Sequence, residues 1–379
     1  MVEIPEPSGE AHAIELVLGA PRLDAWEMAN LRVLAAALAD GSMDFGRQQM
    51  FAFASALGPP QFVALPDSLR ISLSVSPSGL RAGLGVLEAL IRRPVLSQES
   101  VDAARDRLAH SAADHVSAAL WPSLPEGSRV TRESVASLLR RLVQRGEMVL
   151  VVRGPFEPGT AESMWAERVA SWPPERPERE PLRGPEPRFR TDVPGPASVL
   201  ELVGPLVPAR FVGLPAQILA VGALGSGKGA TLYRVVREQK RLSYRQEAFF
   251  SGVPGGFQPR ILIASTHDLS KRVDEIRDAI RADIGQWTEA DRVRAAAALR
   301  SSLVYGIGMS PFDFGIWDSP VGRYRDEAFI AGYWQLKTGT RWDPSELARL
   351  IDLVDLETMR EAAFDLVDSM GYRFYAGRG

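Results

Sequence analysis

The sequence predicts an α+β fold built from two domains of similar size, each with a mixed or antiparallel sheet that carries its helices on one side. Three observations predict this fold. The chain has 379 residues, more than one typical hydrophobic core accommodates. A proline-rich segment divides it into nearly equal halves, and strand and helix patterns recur in the same order in both halves. We therefore expect an internal duplication.

The dividing segment covers residues 173–196 and contains eight prolines. Prolines lack a backbone N–H and restrict the residue before them, so this segment predicts an extended, solvated connector. The predicted boundaries are a first domain over 1–172, a linker over 173–196 and a second domain over 197–379.

Matching elements follow one another through the two halves. Each half opens with a short apolar strand that contains Glu-Leu-Val, at 13–19 and at 199–204. The other matching pairs are helices over 31–38 and 217–224, strands over 69–75 and 259–265, helices over 78–91 and 269–280, helices that start at Thr131 and Asp355, and strands over 148–154 and 372–377. Alternation with period two predicts the strands, and apolar residues three or four apart predict the helices. The second half is longer because of a helical insertion around 288–335.

The composition excludes several classes of function. With 44 basic and 47 acidic residues, the formal net charge of −3 gives no field suited to nucleic acid or to an anionic membrane. Cysteine is absent, which removes disulfides, thiolate metal sites and a cysteine nucleophile. No apolar run approaches the length of a membrane span, and the first residues lack the pattern of a signal peptide. We expect a soluble protein of the cytoplasm or the periplasm.

A glycine-rich stretch over 222–229 has two interpretations. Gly222, Gly227 and Lys228 fit the start of the phosphate-loop pattern G-x-x-x-x-G-K-[ST]. The pattern needs a Ser or Thr directly after the lysine to bind the metal, but that position is Gly229. Thr231 lies two residues further on, where it would face another side of a helix. A nucleotide-binding loop is therefore disfavoured.

The residues that follow support the second interpretation. Arg237 lies in a predicted helix, and Tyr244 follows seven residues later at the start of a strand. With the duplicated frame, this pattern resembles the pitrilysin/insulinase family of zinc metallopeptidases. The glycine-rich stretch is most similar to that of the mitochondrial processing peptidase alpha subunit, a non-catalytic member.

The resemblance implies two insulinase-like domains and a peptide-binding role for Arg237 and Tyr244 near the scissile bond. The substrate-binding residues implied by it are Arg237, Tyr244, Gly222, Gly225, Gly227, Lys228 and Gly229. A guanidinium and a phenol suit this role because both donate hydrogen bonds to peptide carbonyls. The alternative is that Arg237 and Tyr244 only hold the helix onto the sheet.

Catalytic members of the family carry His-x-x-Glu-His on the first long helix, where the two histidines bind zinc and the glutamate is the general base. Counted back from Gly41, the matching positions hold Arg32, Ala35 and Ala36. The chain has four histidines, namely His12, His110, His115 and His267. His110 and His115 are five residues apart and would diverge on a helix, whereas His12 and His267 are expected to be incidental surface residues. We expect no catalytic residue and no metal site in this chain.

The resemblance therefore implies a non-catalytic, substrate-binding subunit of a heterodimeric zinc metallopeptidase. A homologous partner that contains His-x-x-Glu-His would supply zinc and the general base, and the substrate would be a peptide. The alternative is an inert peptidase-like scaffold or peptide-binding protein with no proteolytic partner. The aromatic and glycine-rich segment 306–320 is expected to line a groove or a partner interface, or simply to pack as a loop.

Overall fold

The structure is a computed structural model. It describes residues 1–20, 23–65, 67–110, 130–145, 147–170, 172, 192–195, 198–253, 256–305, 312–313 and 323–377. The chain divides into two compact units. The first comprises Met1–Asp114, Leu120–Leu182 and Trp317–Trp342, and the second comprises His115–Ala119, Arg183–Ile316 and Asp343–Gly379. Most of the predicted linker and of the 306–320 segment lies outside the described residues.

Each unit contains one sheet. The strands of the first unit are β1 (Val2–Pro5), β2 (His12–Gly19), β3 (Gln61–Leu65), β4 (Ser68–Val75) and β5 (Met148–Gly154). The strands of the second unit are β6 (Asp192–Gly195), β7 (Ser198–Val203), β8 (Val207–Pro208), β9 (Arg245–Val253), β10 (Gly256–Ser265), β11 (Phe312–Asp313) and β12 (Gly371–Gly377).

The helices of the first unit are α1 (Ala25–Leu38), α2 (Arg47–Phe53), α3 (Leu80–Arg92), α4 (Gln98–His110), α5 (Arg132–Arg145), α6 (Thr160–Val169) and α10 (Arg323–Thr338). Those of the second unit are α7 (Leu214–Gly225), α8 (Val273–Gly285), α9 (Glu289–Tyr305), α11 (Pro344–Asp352) and α12 (Leu356–Ser369), together with a π-helix over Tyr233–Gln239. Asp24 and Glu27 form a capping box that starts α1, and Asp355 caps α12 through the N–H of Thr358.

The two sheets have the same strand order. The first is ordered β1-β5-β2-β4-β3, and the second β6-β12-β7-β10-β9, with β11 beyond β9 and β8 paired to β10. Among the described residues, neighbours are antiparallel except at three edge strands: β1 runs parallel to β5, β6 parallel to β12 and β11 parallel to β9. Asp192–Gly195 lies in the predicted linker, but in the structure it forms β6. An edge strand tolerates a proline such as Pro194, because half of its N–H groups have no ladder partner.

One face of the first sheet forms the main core of that unit. Ile14, Leu16 and Leu18 alternate along β2 and share a cluster with buried leucines of α1 and α3. These leucines include Leu31, Leu34, Leu84 and Leu87. The alternation predicted from the sequence therefore corresponds to one face of the strand.

The opposite face of the first sheet is covered by α10. Ala328 packs against Val149 and Val151, and a Cβ on Gly332 would lie 2.9 Å from Cγ2 of Val151, so the glycine permits close approach. The predicted fold has helices on one side of each sheet, and residues 323–338 belong to its second domain. The structure differs because the small residues of α10 fit the second face of the first sheet.

A buried ion pair lies on the α10 side of the first sheet. Glu15 of β2 accepts hydrogen bonds from Arg70 of β4 at 2.9 Å and 3.2 Å, and neither side chain is exposed. The guanidinium of Arg70 also lies over the ring of Phe329, 4.3 Å from its centre. Because Glu15 lies opposite Ser72, the pair is diagonal, with the arginine two residues along the neighbouring strand.

The second sheet repeats this arrangement. Glu201 of β7 lies opposite Leu262, and its partner Arg260 is again two residues along β10. Both side chains are at least 96% buried, since their exposed fractions are 1% and 4%. Arg373 of β12 approaches the same glutamate at 3.6 Å.

We expect Arg70→Met to lower the free energy of unfolding by about 3–5 kcal/mol, because it leaves the buried Glu15 carboxylate without its partner. The double variant Glu15→Gln, Arg70→Met should recover part of this loss. The measurement is urea unfolding followed by tryptophan fluorescence. Arg81→Ala is the control, since its pair with Glu167 is more than 60% exposed and should contribute less than about 1 kcal/mol. Equal effects of the two single substitutions would contradict the prediction.

Candidate functional site

The glycine-rich stretch begins at the end of a buried helix. In α7, Gly222 faces α9, where an added Cβ would lie 2.9 Å from Cδ1 of Leu299. Gly225 faces β9, and a Cβ there would lie 2.7 Å from the backbone nitrogen of Ala248. These two glycines therefore let the helix approach its neighbours, and Gly222 lies in the core.

The exposed part of the stretch is short. Gly227 has a φ of +82°, and a Cβ there would have no atom within 4 Å. Lys228 is exposed and has no ion-pair partner among the described residues. Gly229 packs against Arg294, whose Cδ would lie 2.9 Å from an added Cβ. Of the predicted stretch, Gly227 and Lys228 are thus the residues that face solvent.

Arg234 clamps the end of this stretch to α8 and α9. Its guanidinium donates to the carbonyl of Gly229, to the Asp283 carboxylate at 2.6 Å and 3.1 Å, and to Asp291 at 3.3 Å. The hydrogen bond to Asp283 raises the pKa of Arg234. The Thr231 hydroxyl donates to Asp283 at 2.6 Å and is fully buried. A buried, bonded hydroxyl is not available to a metal–phosphate complex, which further disfavours a nucleotide loop.

The π-helix carries Arg237. The N–H of Lys240 donates to the carbonyl of Val235 at 2.9 Å, the five-residue spacing of a π-turn. Val235 and Val236 are buried, so they anchor the helix to the core. Arg241 then adopts a φ of +53°, which turns the chain sharply toward β9.

Hydrogen bonds fix the backbone at Tyr244. The Ser243 hydroxyl donates to the backbone carbonyls of Ala264 and Arg245. The Ser265 hydroxyl donates to the backbone carbonyl of Leu242 at 2.6 Å. The Tyr244 side chain itself is 86% exposed. The turn therefore holds an exposed phenol in a defined position beside the sheet.

The structure brings Arg237 and Tyr244 together and adds a third residue. The Arg237 guanidinium carbon lies 5.2 Å from the ring centre of Tyr244 and 5.0 Å from that of Tyr233. Within the described part of the chain, no carboxylate or other acceptor bonds to Arg237. We call Tyr233, Arg237 and Tyr244 the Arg237 site. Sequence reasoning missed Tyr233, although its four-residue spacing from Arg237 is a signal for a contact on one helix face.

This geometry bears on the alternative that the pair only holds the helix onto the sheet. Arg237 makes no hydrogen bond to a strand of the described chain, and most of Tyr244 faces solvent. The buried residues Val235 and Val236 and the Arg234 clamp already attach the π-helix. The arrangement therefore favours a site that faces a ligand.

The helix that would carry a zinc motif offers no metal ligand at the matching positions. Arg32 is half-buried, which lowers the pKa of its guanidinium, and Ala35 and Ala36 have no donor atoms. A cation and two methyl groups do not fit zinc. Across the described residues, no group of three or more His, Asp or Glu side chains could hold a metal ion.

The histidines have separate environments. His12 was predicted to lie at the surface, and this is wrong, because it is 1% exposed. Its Nε2 donates to the carbonyl of Pro77 at 2.8 Å, and burial lowers its pKa. The imidazole fits there because Gly154 has no side chain, and a Cβ would lie 2.4 Å from Nδ1 of His12. His267 is exposed, and His115 and the side chain of His110 lie outside the described residues.

Comparisons with known proteins bear on the fold and on the family of one segment of the chain. Residues 129–299 match the sequence family described as Peptidase M16 inactive domain, and this range contains the glycine-rich stretch and the Arg237 site. The chain has the fold of the M16 inactive domains. No curated protein sequence matches the chain.

Solved structures cover nearly the whole chain. The peptidase M16 inactive domain from Pseudomonas fluorescens has a TM-score of 0.71 and 15% identity, with 100% of this chain and 95% of that chain covered. A protease from Helicobacter pylori has a TM-score of 0.73 and 10% identity, covering 99% and 96%. A conserved protein from Enterococcus faecalis V583 has a TM-score of 0.69 and 14% identity, also covering 99% and 96%.

These findings support an inactive, peptidase-like chain and agree with the pitrilysin/insulinase resemblance. They show an architecture of antiparallel-rich sheets and helices shared over the full length. None of the described helices has both the length and the apolar character that a membrane span needs.

The glycines make separable contributions to stability. We expect Gly225→Ala to lower the free energy of unfolding by about 2–3 kcal/mol, because the new Cβ meets the backbone of β9, which cannot move aside. Gly227→Ala should cost about 1 kcal/mol, for its left-handed φ alone. Gly285→Ala is the control, since its Cβ would have open space at an ordinary φ. Urea unfolding curves measure all three, and a smaller effect at Gly225 than at Gly227 would contradict this order.

Asp291, one of the carboxylates that bind Arg234, should make the free energy of unfolding depend on pH in the acid range. Burial disfavours the charged form of Asp291, yet hydrogen bonds from Arg294 and Thr288 hold its pKa at about 2. Because this pKa is below the value of the unfolded chain, the stabilisation is complete above about pH 4 and is lost as the pH falls toward 2. Between about pH 4 and pH 2, the free energy of unfolding should fall by about 1–2 kcal/mol less in Asp291→Asn than in the wild-type protein. Parallel pH profiles of unfolding for variant and wild type would contradict this.

Proposed function

We propose that this chain is the non-catalytic, substrate-binding subunit of a heterodimeric zinc metallopeptidase, of the type represented by the mitochondrial processing peptidase alpha subunit. A homologous partner would carry His-x-x-Glu-His. The observation that carries the proposal is the Arg237 site, a half-buried arginine beside an exposed tyrosine. It occurs in a chain whose first long helix has Arg32, Ala35 and Ala36 at the positions that match the zinc motif. The match to inactive peptidase M16 domains over 129–299 supports it.

In this proposal the residues of the chain hold and orient a peptide. Arg237 has five N–H donors and Tyr244 has an exposed hydroxyl, and both can donate to backbone carbonyls of an extended peptide. Gly227 and Lys228 face solvent and would form a further wall of the peptide-binding surface, because a glycine without a side chain lets a peptide backbone approach. Fixing the peptide in one orientation lowers the barrier to attack on its carbonyl. Zinc bound to the partner would supply the activated water.

The second candidate is an inert scaffold or peptide-binding protein with no proteolytic partner. A scaffold has no need of an arginine that lacks an acidic partner beside an exposed tyrosine. The inactive-domain match is compatible with both candidates. The Arg237 site favours the peptidase subunit, and a peptidase assay separates the two.

We also propose that the two units descend from one duplicated domain. The shared strand order supports this, as do the parallel edge strands β1 and β6. The strongest support is the diagonal glutamate–arginine pair, because it occupies the same strands and the same register in both sheets.

The chain should form an active peptidase when it is mixed with a homologous subunit that contains His-x-x-Glu-His from the same genome. We expect Arg237→Ala to lower kcat/KM by about 100-fold, by analogy with the loss of a donor that acts on the reacting carbonyl. Tyr244→Phe should lower kcat/KM about tenfold, which is the expected effect of losing one hydrogen bond to an oxygen that carries or develops negative charge. The readout is cleavage of a quenched fluorescent peptide.

Glu238→Gln is the matched control, because the side chain of this exposed neighbour of Arg237 makes no hydrogen bond or ion pair within the described residues. It should keep kcat/KM within about threefold, a change of under 1 kcal/mol typical of surface sites. Full activity of Arg237→Ala would reject the role of the arginine. Failure of every homologous subunit to give peptide cleavage would favour the scaffold.

A further inference from the structure

The charge of Arg237 is uncompensated within the described residues, unlike that of Arg234, Lys240 and Arg245 nearby in the chain. Arg234 pairs with Asp283 at 2.6 Å, Lys240 with Glu275 at 2.7 Å, and Arg245 with Glu247 at 3.2 Å. Arg237 is half-buried among them and has no acidic partner in the described part of the protein. A cation that is held in position without a counter-charge can bind an anionic group of a ligand.

The N–H groups of Arg237 have no acceptor within the described chain. The guanidinium carbon lies over two tyrosine rings, 5.0 Å from the centre of Tyr233 and 5.2 Å from that of Tyr244, and these are cation–π contacts. No carboxylate, carbonyl or hydroxyl of the described residues accepts a hydrogen bond from the guanidinium, so its N–H groups are available to a ligand. Two parallel N–H groups match the two oxygens of a carboxylate, whereas a peptide carbonyl offers one oxygen.

We propose that the Arg237 site selects peptides that place a carboxylate on Arg237, from either the peptide C-terminus or an Asp or Glu side chain. This inference rests on the peptide-binding function proposed above and adds the chemical class of the group that is bound. Arg237 forms a two-point ion pair with the carboxylate, and the exposed Tyr244 hydroxyl donates to one of its oxygens. Tyr233 is a positioning residue, because its ring lies 5.0 Å from the guanidinium carbon and restricts where the guanidinium can lie. Two uncompensated surface cations, Lys228 and Arg241, add to the attraction for an anionic peptide.

Fluorescence anisotropy with the full chain and a matched set of peptides tests this proposal. The probe is a short fluorescein-labelled peptide of alanine, serine and phenylalanine, made as the free acid and as the C-terminal amide. Two further amidated peptides carry one internal Glu or one internal Gln. We expect at least one carboxylate form to bind about tenfold or more tightly than its neutral match, the worth of a charge-assisted bond. Which pair differs identifies the C-terminal or the side-chain source.

Substitutions in the Arg237 site separate carboxylate selection from peptide binding in general. Arg237→Gln should abolish the preference for the carboxylate form, and Arg237→Lys should retain part of it. Tyr233→Leu should weaken the preference about threefold to tenfold, and Tyr233→Phe should restore it because the ring returns. Glu238→Gln should keep the preference, and circular dichroism should show that each variant is folded.

The outcomes distinguish the two proposals. Equal binding of acid and neutral peptides, with both weakened by Arg237→Gln, would overturn the carboxylate inference and leave the peptide-binding function in place. A carboxylate preference that Arg237→Gln leaves unchanged would also overturn the inference. Absence of binding by every peptide would overturn both proposals. Weaker binding of the carboxylate form at high salt, with the neutral form unaffected, would support the ion pair.

Discussion

A glutamate and an arginine that share a water-excluded face hold each sheet in register. Removing both groups from water carries a large desolvation cost, which their contact offsets only when the geometry is good. A slip of one residue between β7 and β10 would turn Glu201 toward the opposite face and separate it from Arg260. The register of β10 is passed to β9, where Arg245 lies opposite Ala264. The position of Tyr244, one residue earlier, therefore follows from a pair buried inside the sheet.

The π-helix divides structural and ligand-facing roles between two arginines. Arg234 is used inside the protein, where Asp283, Asp291 and the Gly229 carbonyl occupy its donors. Arg237 is less than one turn further along the helix, and its contacts are two aromatic rings. The first arginine fixes the backbone on which the second is presented. A rigid support of this kind reduces the entropy lost when a ligand binds.

Local patterns predicted the elements well. The alternating stretches at 13–19 and 69–75 are β2 and β4, and the leucine spacing after residue 78 is α3. The family resemblance singled out Arg237 and Tyr244, and in the structure the guanidinium carbon of Arg237 lies 5.2 Å from the ring centre of Tyr244. What local patterns missed were contacts between distant segments: His12 is buried beside Gly154, and Asp192–Gly195 is a strand only because β12 lies beside it.

The sequence by itself determined the order of strands and helices and the residue types at each candidate position. It therefore determined that the matching face of α1 carries Arg32 and two alanines in place of zinc ligands. The tertiary structure decided which side chains are free. Gly222 lies in the core, and α10 covers one face of the first sheet. Arg234 forms ion pairs with acidic residues of α8 and α9, whereas Arg237 forms none within the described residues. The reason is physical: helical and strand periods are properties of neighbouring residues, whereas burial and charge compensation depend on segments that only folding brings into contact.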